Sequence, residues 1–386
     1  MKLNQKLIAL FVSSLLSFSV PAAEWVLTAD VNPSVEYNDN VFMSEDEQSS
    51  VHYVISPTVS ISHALDNMAS SLDFGYKIDR YISLSDLDTE NPFIQFRTNF
   101  QTERSAWGLD TSYTEDSTRT DAADDTGDFT TQSIVTTKYI SPSYSHQLTE
   151  RDSISISASY SERQYSTTDY SDNETKSLTT AWQHQYTERW NGGVSVSVSN
   201  YKSAGINDSS ENDNYNLSLT SAYELSELWN LSGQIGVRQL KSEQLDRFGN
   251  TEKNTNSGSS FNLTANKRTE LDSLTIGISR SLSPSSTGEV NEQQGINLNW
   301  SRELSETLTA SLSTRYQETT SASDDGDEKR ENINFSPSIR WQFERNLGLN
   351  FSYNYRQQKR ADEEDVDSNA VMLTLNYDWD GLRASR

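Results

Sequence analysis

The sequence predicts an all-β fold: one transmembrane antiparallel β-barrel of about 18 strands, bounded by 16 and 20, with short turns on one side and long acidic loops on the other. Three observations predict it. Apolar residues recur at every second position from end to end, short and long connections take turns between these runs, and tryptophans collect at one end of the runs on the apolar parity.

Composition sets the frame. The chain has 386 residues, no Cys, and only 33% apolar residues, few for a water-soluble core in so long a chain. Such a chain is either largely disordered or built as a sheet with its apolar residues on one side. Disorder does not produce sustained alternation, which leaves the sheet. Lys2 and Lys6 precede an apolar stretch over residues 7–20, and Pro21-Ala22-Ala23 offers a small-residue cleavage site, so residues 1–23 read as a secretory signal and 24–386 as the barrel. Removing the two lysines takes 31 basic residues to 29 against 56 acidic ones, or −27 with His neutral. That balance excludes nucleic acid as a partner, which calls for a basic surface. The lack of Cys excludes thiolate metal sites and a Cys nucleophile. No segment reaches the roughly 20 apolar residues of a spanning helix.

In chain order, the clearest runs begin with Tyr53/Ile55/Pro57/Val59/Ile61, Leu72/Phe74/Tyr76/Ile78, Ile154/Ile156/Ala158/Tyr160 and Tyr215/Leu217/Leu219. They continue with Leu274/Ile276/Ile278, Leu308/Ala310/Leu312, Ile333 to Phe343, Leu347 to Tyr355 and Val371 to Trp379. Residues 28–37 and 256–268 are weaker segments. Each run is about 9–14 residues, the length a tilted strand needs to cross an outer membrane. Short links carry related polar triplets: QTERS, LTERD, TERW, RTEL, ELSE and FERN. Long links are acidic, as in TEDSTRTDAADDTGDFTTQ (114–132), NDSSENDN (207–214), SASDDGDEKRE (321–331) and KRADEEDVDS (359–368). Outer-membrane barrels place short turns in the periplasm and long loops outside the cell. TER and its relatives therefore mark periplasmic hairpin turns.

That assignment fixes where each strand end lies. Trp107, Trp190 and Trp229 follow short links, Trp182, Trp300 and Trp341 precede them, and Trp379 ends the last run, all on lipid-facing parity, as an interfacial girdle requires. Tyr37, Tyr53, Tyr113, Tyr160, Tyr316 and Tyr355 occupy the opposite end. The final strand either ends near Trp379 or extends through Leu382.

Catalytic chemistry finds no support. His63, His146 and His184 share lipid-facing positions just before short turns, which suits interfacial rings, and His52 sits near a loop without an evident partner. No G-x-S-x-G nucleophile motif occurs. The densest acidic cluster, Asp121 to Asp128, lacks EF-hand spacing. The chain is read as a non-enzyme without metal or cofactor. The inward parity is the informative surface: Ser141/Ser143/Ser145, Ser155/Ser157/Ser159, Ser195/Ser197/Ser199, Asn297/Asn299 and Asn350/Ser352/Asn354, with Asp73, Lys77, Asp79, Arg97, Arg238, Arg340 and Arg356 as candidate contacts along a solute path. Hydroxyls and amides donate and accept, so such a wall exchanges partners with a sugar chain, although any lumen must be polar.

Glu36-Tyr37-Asn38-Asp39-Asn40-Val41-Phe42, an acidic stretch, and Ile55-Ser56-Pro57-Thr58-Val59-Ser60 together resemble the opening strands of β-barrel porins encoded with exopolysaccharide synthesis and export systems. The match covers about 35 residues of the 386. The resemblance implies an outer-membrane channel for a secreted exopolysaccharide or capsular polysaccharide, working beside a periplasmic polysaccharide export protein, with outer-membrane lipid and lipopolysaccharide around it. With no nucleotide-binding motif, the driving energy comes from elsewhere. Two alternatives stay open: a general or substrate-specific uptake porin, and a structural or adhesive surface barrel with a plugged lumen.

Overall fold

The computed structural model describes residues 24–121, 129–205, 209–245, 248, 250–322, 329–361 and 364–385. The signal assigned to residues 1–23 and most of the Asp121 to Asp128 cluster lie outside them. The described residues form one closed sheet of eighteen antiparallel strands. These are β1 (Glu24–Val31 and Ser34–Asn38), β2 (Ser50–Ile55 and Pro57–Leu65), β3 (Met68–Tyr81), β4 (Thr89–Gln101), β5 (Ser105–Ser117) and β6 (Ile134–Gln147). Next come β7 (Asp152–Tyr165), β8 (Asp172–Thr187), β9 (Trp190–Ala204), β10 (Ser209–Ser226), β11 (Trp229–Leu245) and β12 (Thr251–Arg268). The last six are β13 (Asp272–Pro284), β14 (Val290–Ser305), β15 (Leu308–Ser321), β16 (Arg330–Glu344), β17 (Leu347–Arg360) and β18 (Val366–Ser385). A 3₁₀ turn (Ser85–Leu87) and a short helix, α1 (Thr118–Asp121), lie in connections. No helix among the described residues is long and apolar enough to cross a membrane.

Eighteen rather than twenty strands follows from the register. β1 pairs with β2 as Val31 with Pro57 and Ser34 with Val54, so the breaks at residues 32–33 and 56 interrupt the ladder without ending a strand. Proline explains them, since Pro33 and Pro57 have no N–H to donate. Closure comes from β1 against β18, from Glu24 opposite Ser385 to Asn38 opposite Ala370. Closure leaves no edge strand at this seam, which is what lets a sheet cross lipid.

The apolar surface is inside out. Leu219 and Val237 are 69% and 65% exposed on the outer face, whereas among the described residues buried apolar side chains pack into two small clusters at the long-loop end. Trp107, Trp182, Trp190, Trp229, Trp300, Trp341 and Trp379 lie towards the short-turn ends of their strands, and Trp25, on β1, joins them with its ring 4.3 Å from that of His63. His146 bonds Ser105 Oγ at 2.7 Å and His184 bonds Asp152 at 2.8 Å, both beside girdle aromatics.

The turn triplets recur because of their hydroxyls. Thr102 Oγ1 accepts from the Ser105 N–H at 3.0 Å, Thr149 Oγ1 from Asp152 N–H at 3.0 Å, Thr269 Oγ1 from Asp272 N–H at 2.8 Å, and Ser226 Oγ from Trp229 N–H at 3.2 Å. Each hydroxyl thus satisfies a backbone donor the tight turn would otherwise strand.

The structure corrects the strand lengths. β10 and β12 run 18 residues and β18 runs 20, and NDSSENDN is mostly strand from Ser209 onward rather than loop. At ~3.3 Å per residue, 18 residues exceed the ~30 Å hydrocarbon core even when tilted. Opposite charges across the ladder sustain the extension: Lys202 pairs with Glu211 at 2.9 Å, and Lys253 pairs with Glu243. β18 continues past Trp379 through a bulge opposite residue 28, where Gly381 takes φ +80° and a Cβ would lie 1.8 Å from Leu27 O. The extra residue returns Leu382 to the outer face on which Trp379 sits.

Candidate functional site in the barrel lumen

From β6 to β14 the inner wall at mid-barrel is built of Ser, Thr, Asn, Gln, Gly and Ala, apart from the buried Arg238 on β11. These residues bond mainly to one another: Ser159 Oγ and Ser177 Oγ lie 2.6 Å apart, Ser260 Oγ donates to Asn216 Oδ1 at 2.9 Å, and Asn216 Nδ2 donates to Ser218 Oγ at 2.9 Å. Near the short-turn end the wall opens into a niche of about 270 Å³ lined by Gln183, Asn191, Thr220, Gln234, Asn262 and Thr264. No charge lines it.

Charge concentrates on β3 to β5. Arg97 lies 3.9 Å from Asp73 and 3.7 Å from Asp110, with its side chain 55% exposed to the lumen. Higher up, Lys77 sits 3.2 Å from Asp116 and 3.8 Å from Asp79. His52, expected to be partnerless, bonds Asp79 at 2.8 Å and stacks on Tyr81 at 4.1 Å. The reason is register: His52 and Tyr81 are direct partners on the inner face of β2 and β3.

The seven candidates share the inner face but not one path. Asp73, Lys77 and Arg97 meet open lumen. Asp79 is buried among His52, Lys77 and Thr89. Arg238, also buried, pairs with Glu292, which Arg280 Nε reaches at 2.7 Å. Arg340 bonds Gln342 at 3.5 Å, and Arg356 donates to Asn334 at 3.2 Å while lying 4.8 Å from the Phe129 ring centre. The arginines therefore form no continuous track.

Two segments fold into the long-loop mouth. In the first, Arg119 of α1 donates to Phe129 O at 3.0 Å and to Val41 O, and its guanidinium lies 5.3 Å and 5.8 Å from the rings of Phe42 and Tyr81. Phe129 is buried against Met43 and Val366. In the second, the β13–β14 hairpin reaches across the inner faces of β8 to β12. Tyr201 Oη donates to Ser285 O at 2.7 Å, Ser171 N–H to Ser286 O at 2.9 Å, and Ser210 Oγ to Gly288 O. Tyr201, Leu240, Val290 and Ala322 close around it. Sequence periodicity could not reveal these folds, because loop residues carry none. Asp110 and Asp116, by contrast, were findable by extending the inward parity of β5.

The residues that carry the family resemblance form a clasp. Asp39 accepts from Asn369 N–H at 2.7 Å and from Asn369 Nδ2 at 2.9 Å, Asn38 Oδ1 accepts from Ser368 Oγ at 2.7 Å, and Asn40 Nδ2 donates to Asp367 O at 3.0 Å. They join β1 to β18 at the rim. Among the described residues, no group of three or more His, Cys, Asp or Glu could hold a metal.

No family model matches the chain, and no curated protein matches it. Solved structures do. The unliganded ferric citrate transporter FecA gives a TM-score of 0.53 at 11% identity over 86% of this chain, which spans 60% of that one. OpdK of Pseudomonas aeruginosa, crystallised with vanillate, gives 0.51 at 10% identity over 92% of this chain and 99% of that one, and a second structure of it, as OccK1, gives 0.50. The chain has the fold of an outer-membrane β-barrel.

Proposed function

We propose that this barrel is a selective channel admitting small, uncharged polar solutes across the outer membrane. The uncharged hydroxyl and amide wall from β6 to β14, with its niche at Gln183, Gln234 and Asn262, carries the reading. Groups that donate and accept equally well give a neutral polyhydroxyl solute many interchangeable partners and hold none tightly. An outer vestibule of about 650 Å³, bearing Glu45, Asp46 and Glu364 against Arg360, keeps a negative excess that disfavours anions by its field. The fold neighbours named as a ferric citrate transporter and as a vanillate complex support transport in general. Proteoliposome swelling tests it: neutral sugars are expected to enter, anions of equal size to lag. Fastest entry by anions, or no entry by any solute, overturns it.

Export of a polysaccharide is the second reading, favoured by the unbroken length of the same wall and by the resemblance at residues 36–60. The clasp weakens the resemblance as evidence of function, since those residues are occupied in closing the barrel. On this reading a periplasmic export protein would meet the TER turns, and lipopolysaccharide would meet the ion-paired outer faces of β8 to β12. Deleting the gene and measuring polymer in periplasm, surface and medium separates the two. Periplasmic accumulation reversed by complementation supports export.

A further inference from the structure

Between β12 and β13 the wall of the barrel parts well before the strands end. β12 pairs with β11 along its whole length, Thr251 to Lys267, but with β13 only between Phe261 opposite Arg280 and Arg268 opposite Ser273. Above Arg280, β13 parts from β12 and turns into the mouth with β14 as the inward hairpin, which stays joined to the wall through the β14–β15 ladder up to Asn291 opposite Ser321. Directly below the split, on the outer face of β10 to β13, runs an apolar groove of about 630 Å³. Leu219, Leu231, Ile235, Leu263, Ile276 and Ile278 line it with Gly233, where an added Cβ would lie 2.5 Å from Leu263 Cδ2. On β13, Ile278 is the next outer-face position below Arg280.

At the top of the groove two guanidiniums share one carboxylate. Arg280 and Arg238 both bond Glu292, and the Nε and Nη1 of Arg238, a residue 5% exposed, have no acceptor among the described residues. The three side chains carry a net positive charge beside a slot shaped for hydrocarbon. We propose that this is a lipid site: one acyl chain lies in the groove and an anionic headgroup neutralises the Arg280–Glu292–Arg238 cluster at the split. A surplus of one charge at a membrane surface is worth ~1 kcal/mol, which is roughly a fivefold preference for an anionic headgroup.

The test uses the mature barrel, purified in detergent, delipidated and examined by native mass spectrometry with phosphatidylglycerol or phosphatidylethanolamine of identical chains. Wild type is expected to retain one phosphatidylglycerol roughly fivefold better than phosphatidylethanolamine. Arg280→Gln should bring that ratio near one. Gly233→Leu should abolish retention of both lipids, with Ala265→Leu as a second groove-filling variant and heat-modifiable migration as the folding control. Equal retention of the two lipids by wild type, or unchanged retention in folded Arg280→Gln and groove-filled variants, overturns the site. So does a second copy of the barrel, rather than a lipid, being displaced by Gly233→Leu.

Discussion

Glu292 is the position at which the mouth can be opened by a single atom exchange. Its carboxylate holds Arg238 and Arg280 together, and the Arg238 side chain is only 3% exposed. Glu292→Gln leaves that guanidinium buried without a counter-charge, a loss of ~3–5 kcal/mol. In wild type the buried pair itself roughly breaks even, so the hairpin is held by the apolar seat and its hydrogen bonds. Burying Leu240 and Val290 contributes ~4 kcal/mol together, and the three bonds from Tyr201, Ser171 and Ser210 add ~3 kcal/mol net. Because the hairpin keeps its β13–β14 and β14–β15 pairing when its tip lifts off β8 to β12, little backbone entropy opposes the seat. An anchor of ~7 kcal/mol corresponds to an unseated fraction near 10⁻⁵, and removing ~4 of it raises that fraction to ~10⁻². Planar-bilayer recording should therefore show brief large-conductance openings in Glu292→Gln, rare in wild type. Adding Leu240→Ala, a cavity substitution costing ~2–5 kcal/mol, should make the large state prevail. A double variant that folds, judged by heat-modifiable migration, yet shows wild-type conductance and no new openings refutes the seating argument.

Three other expectations follow from separate parts of the molecule. Arg97→Ala removes the positive member of the Asp73–Arg97–Asp110 group, so reversal potentials in a salt gradient should move toward cation selectivity; movement toward anions contradicts the geometry. Thr149→Val strips the Asp152 N–H of its turn acceptor and should cost ~1 kcal/mol, read as a lower urea midpoint in detergent, while Thr149→Ser should retain most of it. Gly381→Ala places a Cβ against Leu27 O at a φ that L-residues avoid, costing at least ~1–3 kcal/mol, and should lower the temperature at which the folded band disappears on gels.

Most of the barrel is written in period two. Strand existence, face assignment and the tryptophan girdle all follow from residues such as Leu347 to Tyr355, because lipid on one side and water on the other impose opposite chemistry on alternate positions. Strand ends were less legible. Beyond the lipid boundary the outer face no longer needs apolar residues, so Ser209 to Asn214 read as loop and 256–268 as a weak segment although both ladders persist. Parity puts the seven charged candidates on one face but is blind to cover: nothing near Arg238 in sequence announces that Glu292, 54 residues downstream, lies over it. The same blindness hid Arg119 and Phe129, whose positions are fixed by contacts between distant loops.

The clasp has a temporal meaning. Asp39 and Asn369 are 330 positions apart, so the aspartate near the start of the chain waits for nearly the whole polypeptide before its two donors exist. A nascent or truncated chain carries that carboxylate unanswered at the end of its first strand. The buckle fastens only when the final strand arrives, so the order of synthesis is built into the rim, and a finished barrel differs there from an unfinished one by a carboxylate that has met both its donors.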